Sequence, residues 1–176
     1  MSLSSGNQTE PGAFLLPRRR LGQVMVIGAV FLVAAGIRLY KSDQPPLDYQ
    51  PTRQYRSALI ARAYYLRTLD SASESEKRIA ACNAAKLPLH EPPVLEYVVS
   101  CVYRLVGGEH FWVSRSFSSL FWVIGGLFLY GICRRTISSD AALVSATFYL
   151  FTPFGVRASR SFQPDPLMMM LLLASL

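Results

Sequence analysis

Ionisable side chains that could carry chemistry lie in three short segments of this sequence. They are Asp48 in the first segment, His90 and Glu91 in the second, and Arg157, Arg160 and Asp165 in the third. A carboxylate can act as a general base that takes a proton from an attacking hydroxyl. Two arginines three positions apart on a helix face the same way, which suits a phosphate or diphosphate group. The residue types therefore predict proton transfer beside a phosphorylated ligand. Turn, helix-start and lipid-headgroup roles are the alternatives.

The amino-acid composition indicates whether lipid or water surrounds most of the chain. Of the 176 residues, 51% are hydrophobic and 16% are charged, whereas soluble proteins carry about 25% charged residues. With 18 basic and 11 acidic residues, the formal net charge is +7. No motif of a nucleic-acid-binding module is present, so we predict lipid headgroups or phosphates, and no nucleic acid, as partners of this charge. The composition excludes a disordered polar tail and favours a chain surrounded largely by lipid.

The first apolar run, residues 21–40, is long enough to cross the hydrocarbon core of a membrane, about 30 Å, as a helix. Arg18–Arg20 precede this run, so the positive-inside rule predicts that residues 1–20 form a cytoplasmic tail. Val33-Ala34-Ala35 also resembles a small-residue cleavage site, which leaves a cleaved signal peptide as the alternative. Under either interpretation the next segment, residues 41–115, lies outside the cytoplasm.

Three further apolar runs predict more membrane helices. The second span covers residues 116–133, the third covers 137–154 and ends at Pro153, and the fourth begins at 166 and stops with the sequence at 176. A helix of about 11 residues reaches only half-way across a bilayer, so we expect an N-terminal fragment that is inactive by itself. The predicted fold class is an all-α, multi-span helical bundle in the cell (inner) membrane.

The predicted outer loop, residues 41–115, has a helical pattern of its own. One amphipathic helix is expected from Arg53 to about Leu69, and a short apolar helix over Val94–Val106 that Gly107-Gly108 ends. The stretch Asp70–Glu76 between them is polar and rich in turn-forming residues. Neither helix is expected to span, so the first is predicted to lie in the membrane interface and the second to be either interfacial or packed against other helices.

Arg62 lies in the middle of the apolar face of the first loop helix. An unpaired guanidinium in such a place is costly. The residue therefore needs an acidic or phosphate partner, or its long stem carries the charge to the edge of the face.

The cysteines and histidines predict no defined site. Cys82 and Cys101 both fall in the outer loop, where they either form a disulfide or stay free. His90 and His110 stand alone, without the spacing of a metal-ligand pair. The cofactor is therefore unknown, and a divalent metal remains open.

The order of these features resembles the N-terminal part of the GT-C glycosyltransferases, which include the dolichyl-phosphate-mannose protein mannosyltransferases and the bacterial aminoarabinose transferases. The resemblance rests on an ordered set: one span, an outer loop opening with an Asp before a Tyr-rich helix, His90-Glu91-Pro92-Pro93, a Gly-Gly turn, two spans and a Pro-Asp pair. It implies an integral membrane enzyme that uses a polyprenyl-phosphate-linked sugar, with membrane lipids around it and a glycan, lipid or protein as acceptor.

The resemblance also implies roles for individual residues. Asp48 is similar to the acidic residue of the family's first loop, the candidate general base, and Asp165 is similar to the acid of the Pro-Asp motif. The chain departs from the pattern at Tyr49, where many relatives have a second acidic residue. It departs again at Glu91, where aminoarabinose transferases have lysine. The second departure argues against a lipid A-type acceptor and leaves the substrate open.

A polyprenyl phosphate leaves as a stable anion, so it needs cations to neutralise it rather than an acid to protonate it. The candidate substrate-binding residues are Arg62, His90, Glu91, Arg157, Arg160 and Asp165, with Asp48 as the catalytic residue. Attack on the sugar from the face opposite the phosphate inverts the anomeric centre, so we predict an inverting, mannosyltransferase-like enzyme at the outer membrane face.

The alternative is a non-catalytic multi-span assembly or scaffold protein, in which the carboxylates need not converge. A transporter fits less well, since its ionisable residues would lie near the mid-plane.

Overall fold

The computed structural model of the chain describes residues 15–17, 19–88 and 91–176. Within them the secondary structure is entirely helical, which confirms the predicted all-α class. The helices are α1 (Arg20–Leu39), α2 (Pro51–Arg67), α3 (Glu74–Ala85), α4 (Val94–Val106), α5 (Phe111–Thr136), α6 (Ser139–Phe151), α7 (Pro153–Ser159) and α8 (Asp165–Ala174). Helices α1 and α5 are long and apolar enough to cross a membrane, and α6 with α7 forms a third candidate span, bent by 62° at its break.

Helix α5 contacts α1, α6 and α8 along its length. It begins at Phe111, before the start of the predicted span 116–133, because its polar first turns are buried rather than exposed to water. Ser114 and Arg115 are 0% and 2% exposed. Gly126 permits a close approach to α6, since a Cβ atom there would lie 3.1 Å from Leu150. A small residue at a helix contact lets two backbones pack tightly.

Helices α2, α3 and α4 form a second group, in which α2 packs on both of the others. Their core contains Tyr65, Leu95 and Val99, and it is joined by Phe162 from the segment between α7 and α8. A separate core, around Trp122, holds α1, α5 and α6 together. The segment after α7 is therefore fixed by the loop helices as well as by the long apolar helices.

Helix α3 was not among the predicted helices. The stretch Asp70–Glu76 was expected to be a polar turn, but α3 begins within it, at Glu74. Ser73 and Glu76 form a capping box: each side chain accepts a hydrogen bond from the backbone N–H of the other residue. This pairing satisfies donors that the first turn of a helix leaves free, so it defines the start of a helix that has little apolar character. Helix α4 has the predicted bounds, and Gly107 ends it with a positive φ of 82°.

Pro153 separates α6 from α7, as a residue without a backbone N–H commonly does. Arg38, near the end of α1, is fully buried beside this break. Its guanidinium donates to Ser159 Oγ at 2.8 Å, to Leu150 O at 2.7 Å and to Ala34 O at 2.9 Å. These bonds join α1 to the ends of α6 and α7. We call this end of the helices, where α1 ends and α5 begins, the loop end.

The cysteine alternatives are resolved in the structure, where Cys82, Cys101 and Cys133 are free thiols. Parts of two other predictions lie outside the described residues. They are His90 and most of the predicted tail 1–20, of which only residues 15–17, 19 and 20 are described.

Candidate active site

Asp48 lies at the loop end, in the segment that joins α1 to α2. Its Oδ1 atom accepts a hydrogen bond from Arg115 Nη2 at 3.1 Å, and Pro45 O is 3.4 Å from the same nitrogen. The Arg115 side chain is 2% exposed, whereas that of Asp48 is 42% exposed. A buried guanidinium thus holds one carboxylate oxygen, and Oδ2 makes no hydrogen bond within the described chain. The second oxygen is free to accept a proton from a ligand.

Arg160, which is far from Asp48 in the sequence, contacts the same connecting segment between α1 and α2. It follows α7 directly, and its Nη2 donates to Tyr40 O at 2.6 Å, with Lys41 O at 3.5 Å. The structure therefore brings two of the predicted site residues, Asp48 and Arg160, to the same connecting segment, where Asp48 is held by Arg115, an arginine that the sequence analysis did not select.

A second cluster of charges is organised by Arg53, in the first turn of α2. Arg53 Nη1 lies 3.3 Å from Asp165 Oδ2, and Nη2 lies 3.6 Å from Glu91 Oε1. All three side chains are between 38% and 45% exposed, so this network is open to solvent or ligand. Arg53 Nη1 is also 3.3 Å from Gln50 Oε1, two positions after Asp48. The predicted pair of Glu91 and Asp165 is therefore assembled at the start of α2.

Gln54 connects the two clusters and is fully buried. Its Nε2 donates to Tyr49 O, next to Asp48, and its Oε1 accepts from the backbone N–H of Phe162 at 3.1 Å. The neighbouring Gln50 has a φ of 42°, in the left-handed region that non-glycine residues rarely adopt. Unfavourable backbone conformations of this kind concentrate at functional sites. Gln54 fixes the Asp48 segment against the segment that carries Asp165.

Arg62 lies apart from these clusters. Its side chain is 49% exposed rather than central to an apolar face, and its Nε is 3.6 Å from Glu109 Oε1. Helix α2 is rotated from the predicted orientation because its buried face includes polar residues such as Gln54 and Ser57. Burial raises the pKa of Glu109, an effect that Arg62 partly offsets. Burial, with a smaller effect from Glu109, raises the pKa of the nearby Tyr103 to about 12.

Arg157 is not part of either cluster. Arg157 is exposed on α7 and makes no side-chain hydrogen bond or ion pair with the residues that the structure describes. No group of three or more potential metal ligands occurs in the described ranges. Glu91 and Asp165, by contrast, belong to the second cluster, since both carboxylates pair with Arg53.

Three residues of the site were not selected as site residues from the sequence: Arg53, Gln54 and Arg115. Arg115 had a signal that could have identified it, since it is the one charged residue of α5 before the arginines of the last turn. Ionisable residues inside candidate spans are costly and tend to have a function. Gln54 had no such signal, because a neutral amide on an amphipathic helix resembles a surface residue.

The later part of the chain carries two of the three segments with candidate site residues, namely the one with Glu91 and the one with Arg160 and Asp165. The family model for dolichyl-phosphate-mannose-protein mannosyltransferase matches residues 90–176. Residues 90–176, just under half of the chain, are similar to this family. The match covers Glu91, Arg115, Arg160 and Asp165, and with the apolar helices it supports a membrane glycosyltransferase. No curated protein and no solved structure matches the chain.

The arrangement places a carboxylate and several guanidinium groups at the loop end of the apolar helices. A carboxylate with one free oxygen can accept a proton. Guanidinium groups beside it can neutralise an anion, most effectively where water is excluded.

Proposed function

We propose that the chain forms part of an inverting, multi-span membrane glycosyltransferase of the GT-C type. It transfers a sugar from a polyprenyl-phosphate donor to an acceptor hydroxyl. In this proposal the N-terminus is cytoplasmic, and the loop end, with α2, α3 and α4, faces the outer side of the cell (inner) membrane. One observation carries the proposal: the buried Arg115 holds Asp48, and Arg160 bonds to the same connecting segment, in a chain whose residues 90–176 match a mannosyltransferase family.

The proposed reaction is a single displacement at the anomeric carbon of the sugar. The acceptor hydroxyl gives its proton to Asp48 Oδ2 as its oxygen bonds to the anomeric carbon. The bond between that carbon and the phosphate oxygen breaks, and the electron pair leaves with polyprenyl phosphate. Attack and departure occur on opposite faces, so the anomeric configuration inverts.

Arg160 is the residue that we assign to the leaving phosphate. Its Nη2 is engaged with Tyr40 O, which positions the guanidinium beside the Asp48 segment. The Arg160 Nε atom is buried and has no partner within the described residues. A fixed cation stabilises the charge that develops on the phosphate without having to reorganise during the reaction. Arg115 acts as a positioning residue, since it holds Asp48 through Oδ1.

The Arg53 cluster is proposed to bind the substrate through Glu91 and Asp165, together with the neighbouring His90. Carboxylates bind sugar hydroxyls as hydrogen-bond acceptors. Arg157 is proposed to contact lipid phosphate from the exposed face of α7. We leave Arg62 out of the proposed site, because Glu109 is its partner and it contacts none of the other predicted residues.

Photo-crosslinking with a lipid phosphate tests the proposed donor site. The probe is dolichyl phosphate with a diazirine on the isoprene unit next to the phosphate, added to the full-length protein in phosphatidylcholine vesicles. Saturable adducts are expected within residues 40–48 and 157–165. Unlabelled dolichyl phosphate should compete with the probe, and phosphatidylglycerol should not.

Two results would contradict the proposed donor site. One is labelling confined to the basic groove between α2 and α3, which is lined by Arg67, Lys77 and Arg78. The other is labelling that phosphatidylglycerol competes away equally well. Either would favour the non-catalytic assembly protein, with its charged residues serving as general lipid contacts.

A further inference from the structure

A small polar cavity lies beside the Arg53 cluster, between the start of α2, Pro92-Pro93 and the segment before α8. Its volume is about 10 Å³, which is close to the smallest space that can hold one water-sized oxygen atom. Two of its lining residues, Arg53 and Glu91, have side chains that are 40% and 45% exposed. These partly exposed side chains leave a route from outside into the cavity.

Gln163 lines this cavity with an unsatisfied amide. The residue is 1% exposed, and neither Nε2 nor Oε1 has a hydrogen-bond partner within the described part of the chain. A buried amide left unpaired costs roughly 1–3 kcal/mol for each polar group. Arg56 also lines the cavity, and its Nε is buried and unpartnered in the same way. Three polar atoms of cavity-lining residues therefore lack partners within the described chain, and a polar ligand seated there could supply them.

The chemistry of the lining favours a neutral ligand with adjacent hydroxyl groups. The lining carries two guanidinium groups, Arg53 and Arg56, and two carboxylates, Glu91 and Glu96, so its formal charges balance, and a phosphate group is too large for the space. An amide offers one donor and one acceptor side by side. One hydroxyl seated in the cavity can pair with one amide atom of Gln163, while the neighbouring hydroxyl at the opening pairs with the other.

We infer that Gln163 binds a vicinal diol of the sugar ring and is a specificity-determining residue of the site. The inference rests on the proposed function, because that function places a sugar at the loop end. Gln163 stands two residues before Asp165, and Gln54 fixes the preceding residue, Phe162, against the Asp48 segment. The cavity thus adjoins the Arg53 cluster, and Gln54 ties the segment that carries Gln163 to the segment that carries Asp48.

Binding of donor analogues to the full-length protein in nanodiscs tests the inference. The probes are dolichyl-phosphate-mannose and its 3-deoxy analogue, which lacks the hydroxyl shared by the 2,3 and 3,4 diols. The unmodified protein should bind the mannose donor about tenfold more tightly than the 3-deoxy analogue, as expected for the loss of one well-formed hydrogen bond. Gln163→Met keeps the length of the side chain but removes both amide groups, so it should bind the two probes equally.

Ser161→Ala provides the matched control. Ser161 is 2% exposed, lies in the same segment and donates to Ala158 O at 2.6 Å, but it does not line the cavity. This variant should keep the tenfold preference. An unmodified protein with no preference between the probes would overturn the inference, and this result does not depend on whether a variant folds. An unchanged preference in Gln163→Met would overturn it too, and the cavity would then hold only water.

The same experiment separates failure of this inference from failure of the proposed function. If the unmodified protein binds dolichyl-phosphate-mannose no better than phosphatidylglycerol, the proposed function is wrong and the inference falls with it. If it binds both sugar donors well and equally, the proposed function stands and only the role of Gln163 is wrong.

Discussion

Asp48→Asn should lower the rate of sugar transfer by the full-length protein by about 10²–10⁴-fold, the range that a general base contributes. Asparagine keeps the shape of the side chain and an oxygen for Arg115, but it cannot take a proton from the acceptor. Donor binding and membrane insertion should be kept. The measurements are the transfer rate with radiolabelled dolichyl-phosphate-mannose and the affinity for that donor.

Asp43→Asn is the matched control for this prediction. Asp43 lies in the same connecting segment, is exposed and makes no ion pair with the described residues, so its replacement should leave the transfer rate within about twofold, the change expected of a surface substitution. The double variant Asp48→Asn/Arg115→Gln addresses a structural explanation. If Asp48→Asn is inactive only because it leaves Arg115 buried without a counter-charge, the double variant should recover activity. Recovery, or full activity in Asp48→Asn itself, would show that Asp48 is not the base.

Arg160→Gln should lower the transfer rate by about 10²–10³-fold, a loss typical of removing one fixed group that stabilises developing charge. Glutamine keeps a polar, hydrogen-bonding side chain at this position while the positive charge is lost. Most of the effect should fall on the rate of the chemical step, because the charge of the phosphate oxygens increases as the sugar–oxygen bond breaks. The rate constant and the donor affinity are therefore measured separately.

Arg134→Gln is the comparison for the loss of an arginine. Arg134 lies in the last turn of α5, away from the loop end, and is exposed. It should leave the rate nearly unchanged. An equal loss in Arg134→Gln and Arg160→Gln would indicate a general effect of charge on membrane insertion rather than a phosphate site. A loss of donor affinity without any change in rate would make Arg160 a binding residue only.

The pattern of apolar residues along the chain was the most informative feature of the sequence. Continuous apolar runs indicated α1 and α5, and Pro153 indicated the break between α6 and α7. Both signals are local: lipid requires length and apolar side chains, and proline removes a backbone donor wherever it stands. The capping box of Ser73 and Glu76 was also local, but its helix lacks the apolar stripe that draws attention to an amphipathic helix.

Only some of the residues that form the site could be predicted from the sequence, because residues far apart in the chain come together on folding. Asp48 and Arg115 are 67 positions apart, and Arg53 and Asp165 are 112 positions apart. Residue type and a resemblance selected Asp48, Glu91 and Asp165, but neither identified the arginines that hold them. The buried amides Gln54 and Gln163 carry no charge, so only their burial and their hydrogen-bonding environment show that they matter.

The anomeric configuration of the product tests the central claim most directly. The full-length protein in membranes is supplied with dolichyl-phosphate-mannose of known anomeric configuration and with candidate hydroxyl acceptors, and the product linkage is assigned by NMR spectroscopy. One base and a phosphate leaving group neutralised by Arg160 predict a product of the opposite configuration to the donor, formed only when Asp48 is intact. A product with the donor's configuration would contradict the account, since retention requires two displacements and a nucleophile that this site does not provide.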